Sequence, residues 1–174
     1  MDLKSYIRNV KDFPKQGIMF RDITTLLKNH EAFDYTIEQL LSFTKGLNIN
    51  KVVGIESRGF IFGSVLAHKL GCGFIPVRKP GKLPAEKVTV SYSLEYGEDK
   101  LEIHKDAIQP GDKVLLHDDL LATGGTMNAV CQLIEKLGGE VVQISFIIEL
   151  TFLNGREKLK PYDVRSIEKY DSEE

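Results

Sequence analysis

The sequence predicts an α/β fold: a mostly parallel central sheet flanked by helices, with a projecting β-hairpin and an N-terminal cap. Three observations carry this reading. Short β-rich runs alternate with helical patterns, the order that builds parallel sheets covered by helices on both faces. Two of the runs, 114–116 and 146–148, are continuously apolar, as strands buried on both faces are. One segment, "KVTVSYSLEYGEDKLEIH", instead alternates apolar and polar residues on both sides of a glycine turn.

Residues 1–30 fit neither period and read as the cap. A helix is expected over about 31–46, with Phe33, Ile37, Leu40 and Leu41 on one face. "KVVGIE" (51–56) reads as a strand, about 59–70 as the helix that follows it, and "GFIPVRK" (73–79) as the next strand. The hairpin occupies about 82–104. Val88, Val90, Tyr92 and Leu94 form one face of its first strand, and Leu101 and Ile103 alternate with Glu102 and His104 in its second. "KVLLHDD" (113–119) and "VVQISFIIEL" (141–150) supply two more strands. Between them Met127, Val130, Leu133, Ile134 and Leu137 mark a helix over 126–137, stopped by Gly138 and Gly139. No repeat, low-complexity tract or linker divides the chain, so a single domain is expected over 1–174. The acidic end, "IEKYDSEE", is expected to fray.

Composition narrows the class of function. With 42% hydrophobic and 28% charged residues in 174, the chain is globular and long enough for a sizeable core. A net charge of -2 gives no global attraction to nucleic acid, so any anion site must come from local placement of basic residues. No apolar run approaches the roughly 20 residues that span a bilayer. The first thirty residues are charged throughout and lack a secretory h-region. Cys72 and Cys131 are far apart, fit no metal spacing and read as reduced thiols. A cytoplasmic protein with neither nucleic-acid nor membrane partner is expected.

The most informative stretch is "KVLLHDDLLATGGTMNAV" (113–130). Asp118 and Asp119 fall at the carboxyl end of a strand, where ligands of open α/β sheets bind. Ala122, Thr123, Gly124, Gly125 and Thr126 then turn into a helix N-terminus. Glycines let backbone N–H groups approach an anion, and the helix start adds partial positive charge. A side chain at position 124 is expected to enter this cradle. No lysine follows the glycines and G-x-G-x-x-G is absent, so neither a Walker loop nor a dinucleotide fingerprint is present. A phosphate monoester beside carboxylates that accept from two hydroxyls describes a ribose 5-phosphate. The alternative is a strand end followed by a plain turn.

"VLLHDDLLATGGT" resembles the phosphoribosyl pyrophosphate (PRPP) motif of the type I phosphoribosyltransferases. With "DFPKQGIMFRDITTLL" (12–27), "GIESRGFIFG" (54–63), "PVRKPGKLP" (76–84), "SYSLEYG" (91–97) and "IIELTFLNGREKL" (147–159), the chain is similar, over most of its length, to the adenine phosphoribosyltransferase family. That resemblance implies transfer of a phosphoribosyl group from PRPP to adenine, giving AMP and pyrophosphate in purine salvage. It also implies a homodimer and Mg²⁺ carried on PRPP with no direct protein ligand.

The resemblance places Asp118, Asp119 and 122–126 on the ribose 5-phosphate, and Ser57, Arg58, Arg78 and Lys82 on the pyrophosphate. Arginine's fork matches phosphate oxygens in a way that lysine cannot. Lys79 and Lys87 read equally well as a solvated basic face. By resemblance Phe20 stacks on adenine while the main chain of Met19 and Arg21 reads its edge, and the cap thereby contributes to the base pocket. Glu95 manages the base's proton and Tyr96 helps close the site. On residue type alone Phe20 reads as core and Glu95 as an exposed turn residue. His117 departs from the apolar residue the family often has before the acid pair and is expected to pack below the sugar site. Two alternatives stay open: transfer to another purine, and a PRPP-binding regulator without catalysis. The second would need an added DNA-binding domain or a basic patch, and the sequence has neither.

Overall fold

The structure, a computed structural model, describes residues 1–94 and 97–173. After one 3₁₀ turn the chain forms a two-stranded antiparallel ribbon of β1 (Arg8–Lys11) and β2 (Met19–Asp22). A single helical turn, α1 (Thr24–Leu27), and the longer α2 (His30–Ser42) follow. Then come β3 (Lys51–Ile55), α3 (Gly59–Leu70) and β4 (Gly73–Val77). The hairpin is β5 (Lys87–Ser93) and β6 (Glu98–His104). β7 (Lys113–Leu121), α4 (Gly125–Lys136), β8 (Glu140–Leu150) and β9 (Val164–Tyr170) complete the order.

Among the described residues, β4-β3-β7-β8-β9 form one five-stranded sheet, parallel throughout. Adjacent residues of its strands feed opposite cores, as the period of two requires. Val52, Leu115 and Ile147 face α2, α3 and the N-terminal segment, where Leu3, Leu40, Phe62 and Leu66 are buried. Val53, Leu116 and Phe146 face α4, with Val130 and Ile134. Gly54 lets α3 lie close on β3: a Cβ there would stand 2.8 Å from the Gly59 carbonyl oxygen.

Four expectations change. The helix expected to reach 46 ends at Ser42, because Thr44 gives both its N–H and its hydroxyl to the Leu41 carbonyl and tightens the last turn. The strand expected over 73–79 ends at Val77, and Arg78 makes only an isolated bridge to Glu102. The hairpin projects less than its alternation implied. Leu101 and Ile103 are buried, and Val88, Val90 and Tyr92 pack on the α4-side core. The C-terminal segment does not fray as a whole: 164–170 is the edge strand β9, paired to β8 from Val164 to Tyr170.

The ribbon's end is fixed by Asp22. Its carboxylate accepts from the Thr24 N–H at 2.8 Å, the Thr24 hydroxyl at 2.9 Å and Arg8 Nη2 at 2.5 Å. The Thr24 N–H first, with Arg8 and the Thr24 hydroxyl adding, outweighs burial and lowers the Asp22 pKa to about 2. A depressed carboxylate pKa stabilises the fold above the unfolded value and ceases to as the pH falls through the folded one. Asp22→Asn is therefore expected to lower Tm at pH 7, with the difference from the parent shrinking between pH 4 and pH 2. Thermal melts of both proteins across that range check it.

Candidate active site

The parallel strands β4, β3 and β7 present their carboxyl ends to one side. From β3 the chain crosses through α3 to β4 on one flank, and the later strands add on the other. The β3/β7 boundary is thus a topological switch point, where open α/β sheets bind ligands. Three loops meet there: 56–58 after β3, 78–82 after β4 and 122–124 after β7.

In the third loop Gly124 has φ +82 and caps α4 from the left-handed region. A Cβ there would lie 2.4 Å from the Gly155 carbonyl oxygen, and one on Gly155 would lie 2.3 Å from that of Ala122. The expectation that a side chain at 124 would enter the cradle is therefore corrected. Gly124 is glycine because two backbones meet. Gly125 is the position that opens outward, with no atom of the other described residues within 4 Å of its Cβ site apart from its own helix backbone. Asp118, Thr123, Gly124 and Thr126 line a hollow of about 90 Å³. A wider cleft of about 520 Å³ runs from Thr123, Gly125 and Thr126 to Tyr92, Ser93 and Leu94 of the hairpin, with Lys158 at its side.

Desolvation, followed by the charge of Asp119, pushes the Asp118 carboxyl well above the usual carboxylate range. Burial also raises Asp119, and Arg58 offsets part of that rise. Arg58 Nε lies 2.9 Å from Asp119 Oδ2. The contact is an ion pair without aligned hydrogen-bond geometry, so this buried oxygen keeps an unfilled acceptor position. The same guanidinium stands 4.9 Å from the Phe20 ring centroid, and its Nη1 donates to the Arg21 carbonyl oxygen at 3.4 Å. Arg58 thus touches the acid pair on one side and β2 on the other.

In an antiparallel ribbon alternate residues turn their main-chain groups outward. Because the Arg21 carbonyl points at Arg58, Met19, two residues earlier, shares that edge. Phe20 packs edge-on against Phe13 at 5.1 Å. The Arg21 side chain points elsewhere, buried to 2% exposure.

Arg78 Nε and Lys82 Nζ both reach Glu56, at 2.8 Å and 2.9 Å. Burial works against the Glu56 carboxylate, but the bonds from Lys82 and Arg78 prevail and hold its pKa below the ordinary value. The Glu56–Ser57 peptide is cis. Lys79 pairs with Asp99, which also accepts from the Tyr92 hydroxyl at 3.0 Å. Glu102 accepts from the Gly81 N–H at 2.8 Å and its main chain bridges Arg78, so the hairpin is tied to the 78–82 loop through Arg78, Lys79 and Gly81. His117 is fully buried against Ser145 at 3.0 Å, and burial lowers its pKa to about 3, leaving a neutral ring below the acid pair.

A phosphoribosyl transferase domain model matches residues 22–173. An adenine phosphoribosyltransferase of Halothermothrix orenii is 60% identical over 94% of this chain and 96% of its own length. The chain belongs to the adenine phosphoribosyltransferase family. A crystal structure of the family member from Thermoanaerobacter pseudethanolicus superposes with a TM-score of 0.95 at 54% identity, covering 97% of this chain and 98% of that one. The Saccharomyces cerevisiae adenine phosphoribosyltransferase, solved with adenine and an imino-altritol bisphosphate, gives 0.90 at 40% identity over 96% and 97%. The fold is therefore that of the type I phosphoribosyltransferases.

Within this family frame, the structure brings together the groups expected on the sugar, the phosphate and the base edge. Arg78 and Lys82 also converge, on Glu56. Arg58, expected beside them, sits instead between Asp119 and β2. Glu95 and Tyr96 lie outside the described residues. Glu56, Gly155 and Lys158 are additions that the sequence reading lacked. The charge of Glu56, two residues before Arg58 in a strongly basic loop system, was the available signal. Nothing local marked Gly155 or Lys158. A separate cavity of about 760 Å³ beside Leu47, Glu140 and Tyr162 lies at the opposite end of the sheet, among the starts of β7 and β8.

Proposed function

We propose that the site transfers the 5-phosphoribosyl group of PRPP to adenine, releasing AMP and pyrophosphate, as in purine salvage. One observation carries the reading. A single guanidinium, that of Arg58, touches both Asp119 and the Arg21 carbonyl. The sugar acids and the base-reading edge are thus within one side chain's width, the separation that joining C1 of a ribose to a base nitrogen needs.

In this reading the backbone of 122–126 holds the 5-phosphate, and Asp118 and Asp119 accept from the ribose hydroxyls, Asp119 through its unfilled oxygen. Adenine lies on Phe20. The outward Arg21 carbonyl accepts a hydrogen bond from its exocyclic amine, with Met19 on the same edge. Hypoxanthine and guanine present a carbonyl there, leaving two acceptors facing each other, and such mismatches carry the strongest discrimination a pocket achieves. The cap, 1–30, is accordingly part of the base pocket.

The C1–oxygen bond to pyrophosphate breaks as the C1–nitrogen bond forms, through an oxocarbenium-like state. Arg78, Lys82 and the Ser57 turn take the departing charge. Glu95 accepts the proton that the base nitrogen loses, and Tyr96 helps to exclude water. Mg²⁺ would be carried on PRPP and would there supply charge neutralisation of the diphosphate. A pair of carboxylates has acceptor sites beyond those the ribose hydroxyls would fill, and these would suit its coordinated waters, as expected for a hard, hydrated cation. We infer a cytoplasmic homodimer from the family likeness, and light scattering on the purified chain checks the dimer.

The deciding experiment supplies PRPP and Mg²⁺ with adenine, hypoxanthine, guanine, xanthine, uracil or orotate in separate reactions. AMP from adenine alone is the expected result. Product from another base would overturn the base-pocket assignment and keep the sugar site. PRPP binding with no product from any base would make the chain a PRPP-binding regulator.

A further inference from the structure

Arg21 is the largest of the fully buried side chains, and it sits on the strand proposed to read the base. Its main chain and side chain point to different places. The carbonyl faces Arg58. The guanidinium turns away from the site and reaches the far end of the sequence, where Nη2 donates to the Glu173 carbonyl at 2.9 Å and the Ser172 carbonyl at 3.3 Å. Nη1 donates across the ribbon to Asn9 Oδ1 at 2.6 Å. The plane of the group stands 4.1 Å from the Tyr170 ring centroid.

The tail that supplies these carbonyls is itself held. Tyr170 is the last residue of β9, paired with Leu150. The Thr151 hydroxyl bonds the Tyr170 carbonyl at 3.0 Å and the Asp171 carboxylate at 2.5 Å. Beyond that clasp the chain crosses to the ribbon, where Glu173 shares a hollow of about 170 Å³ with Lys11, Asp12, Gly17 and Met19. The ribbon needs such support. Two four-residue strands without a third are marginal on their own. Asp22 fixes one end, and the Arg21 fork is the link from its middle to the sheet edge. Arginine suits that link because a planar fork reaches three acceptors while its face lies on an aromatic ring.

We propose that the C-terminal segment 170–173 is a positioning strap for the base pocket: through the Arg21 guanidinium it holds β2 where its main chain can read the base. This rests on the adenine reading above. The contacts described for the strap run to Thr151 and to the ribbon, so its effect is expected on the base before PRPP. A loosened strand would also relax the mismatch against hypoxanthine, because two facing acceptors repel only when neither can move away.

Steady-state kinetics on a chain ending at Asp171, on Arg21→Met and on the two combined test this. Each single change is expected to raise KM for adenine about tenfold, the loss of one hydrogen bond's worth of binding, while KM for PRPP stays within about twofold. The combined variant should be no worse than either alone, since both remove one linkage. An unchanged adenine KM in the shortened chain, equal shifts for both substrates, or additive effects would each overturn the strap. Should Arg21→Met not fold, the intact chain answers by reciprocity. AMP must then slow amide hydrogen exchange in the C-terminal peptide more than ribose 5-phosphate does, and equal exchange with the two ligands would refute the proposal. If the parent protein makes no AMP from adenine, the fault lies in the proposed reaction and not in the strap.

Discussion

Valine at position 125 is expected to abolish useful PRPP binding while leaving Tm within a few degrees of the parent. Gly125 begins α4 with ordinary helical geometry, and among the described residues its Cβ site meets no atom within 4 Å beyond its own helix backbone and chain neighbours. The added side chain would therefore occupy the 520 Å³ cleft that the 5-phosphate needs, without disturbing any packing. Overfilling a close-fitting site costs roughly 1–3 kcal/mol, or about ten- to a hundredfold in Kd. Gly124→Val is the instructive contrast. It forces a side chain into a φ of +82 and against the Gly155 carbonyl, so it should lose stability and PRPP binding together. Calorimetric titration with PRPP beside thermal melts separates the two. Parent-like affinity in Gly125→Val would remove the phosphate from this loop.

The second large effect concerns turnover. Glu95→Ala is expected to lower kcat by about 10²–10⁴-fold, the usual span for a general acid–base group, and to leave the PRPP Kd nearly unchanged. Tyr92, Ser93 and Leu94 line the same cleft as Thr123 and Gly125, and the Leu94 N–H bonds the Gly97 carbonyl at 2.9 Å. Asp99, one ladder position from the Ser93–Glu98 pair, is held by Lys79, and Glu102 accepts from the Gly81 N–H, so the described strands of the hairpin are anchored to the 78–82 loop. Pre-steady-state measurement of AMP formation checks the prediction, and an undiminished single-turnover rate would remove Glu95 from the chemistry.

Much of the fold was legible because its central strands write their burial into the sequence. β7 and β8 are apolar on both faces, and no other arrangement hides "VLL" and "FII" so economically. β9 was not legible, because an edge strand reading "VRSIEKY" buries little and keeps its charges in water. The ribbon escaped for the same reason, with "RNVK" almost wholly exposed. The phosphate cradle was readable because acids, glycines and helix start are consecutive. Glu56 was not, since its partners Arg78 and Lys82 lie 22 and 26 residues onward and only the β3/β4 pairing brings them near. The tail misled most. Its acidic composition reads as a free end, while its carbonyls, which composition does not register, are what Arg21 holds.

Glu56 also bears on how an enzyme of this kind would let go. Two cations that met only solvent after the reaction would grip the outgoing diphosphate tightly, and a catalyst is slowed by its own exhaust. A resident carboxylate within 3 Å of both gives them a counter-ion to fall back on. The departing anion would then be exchanged for an internal one, and the two cations would rest with part of their charge already answered. Affinity for pyrophosphate is capped by that substitution, and the cap favours repeated cycles over tight capture.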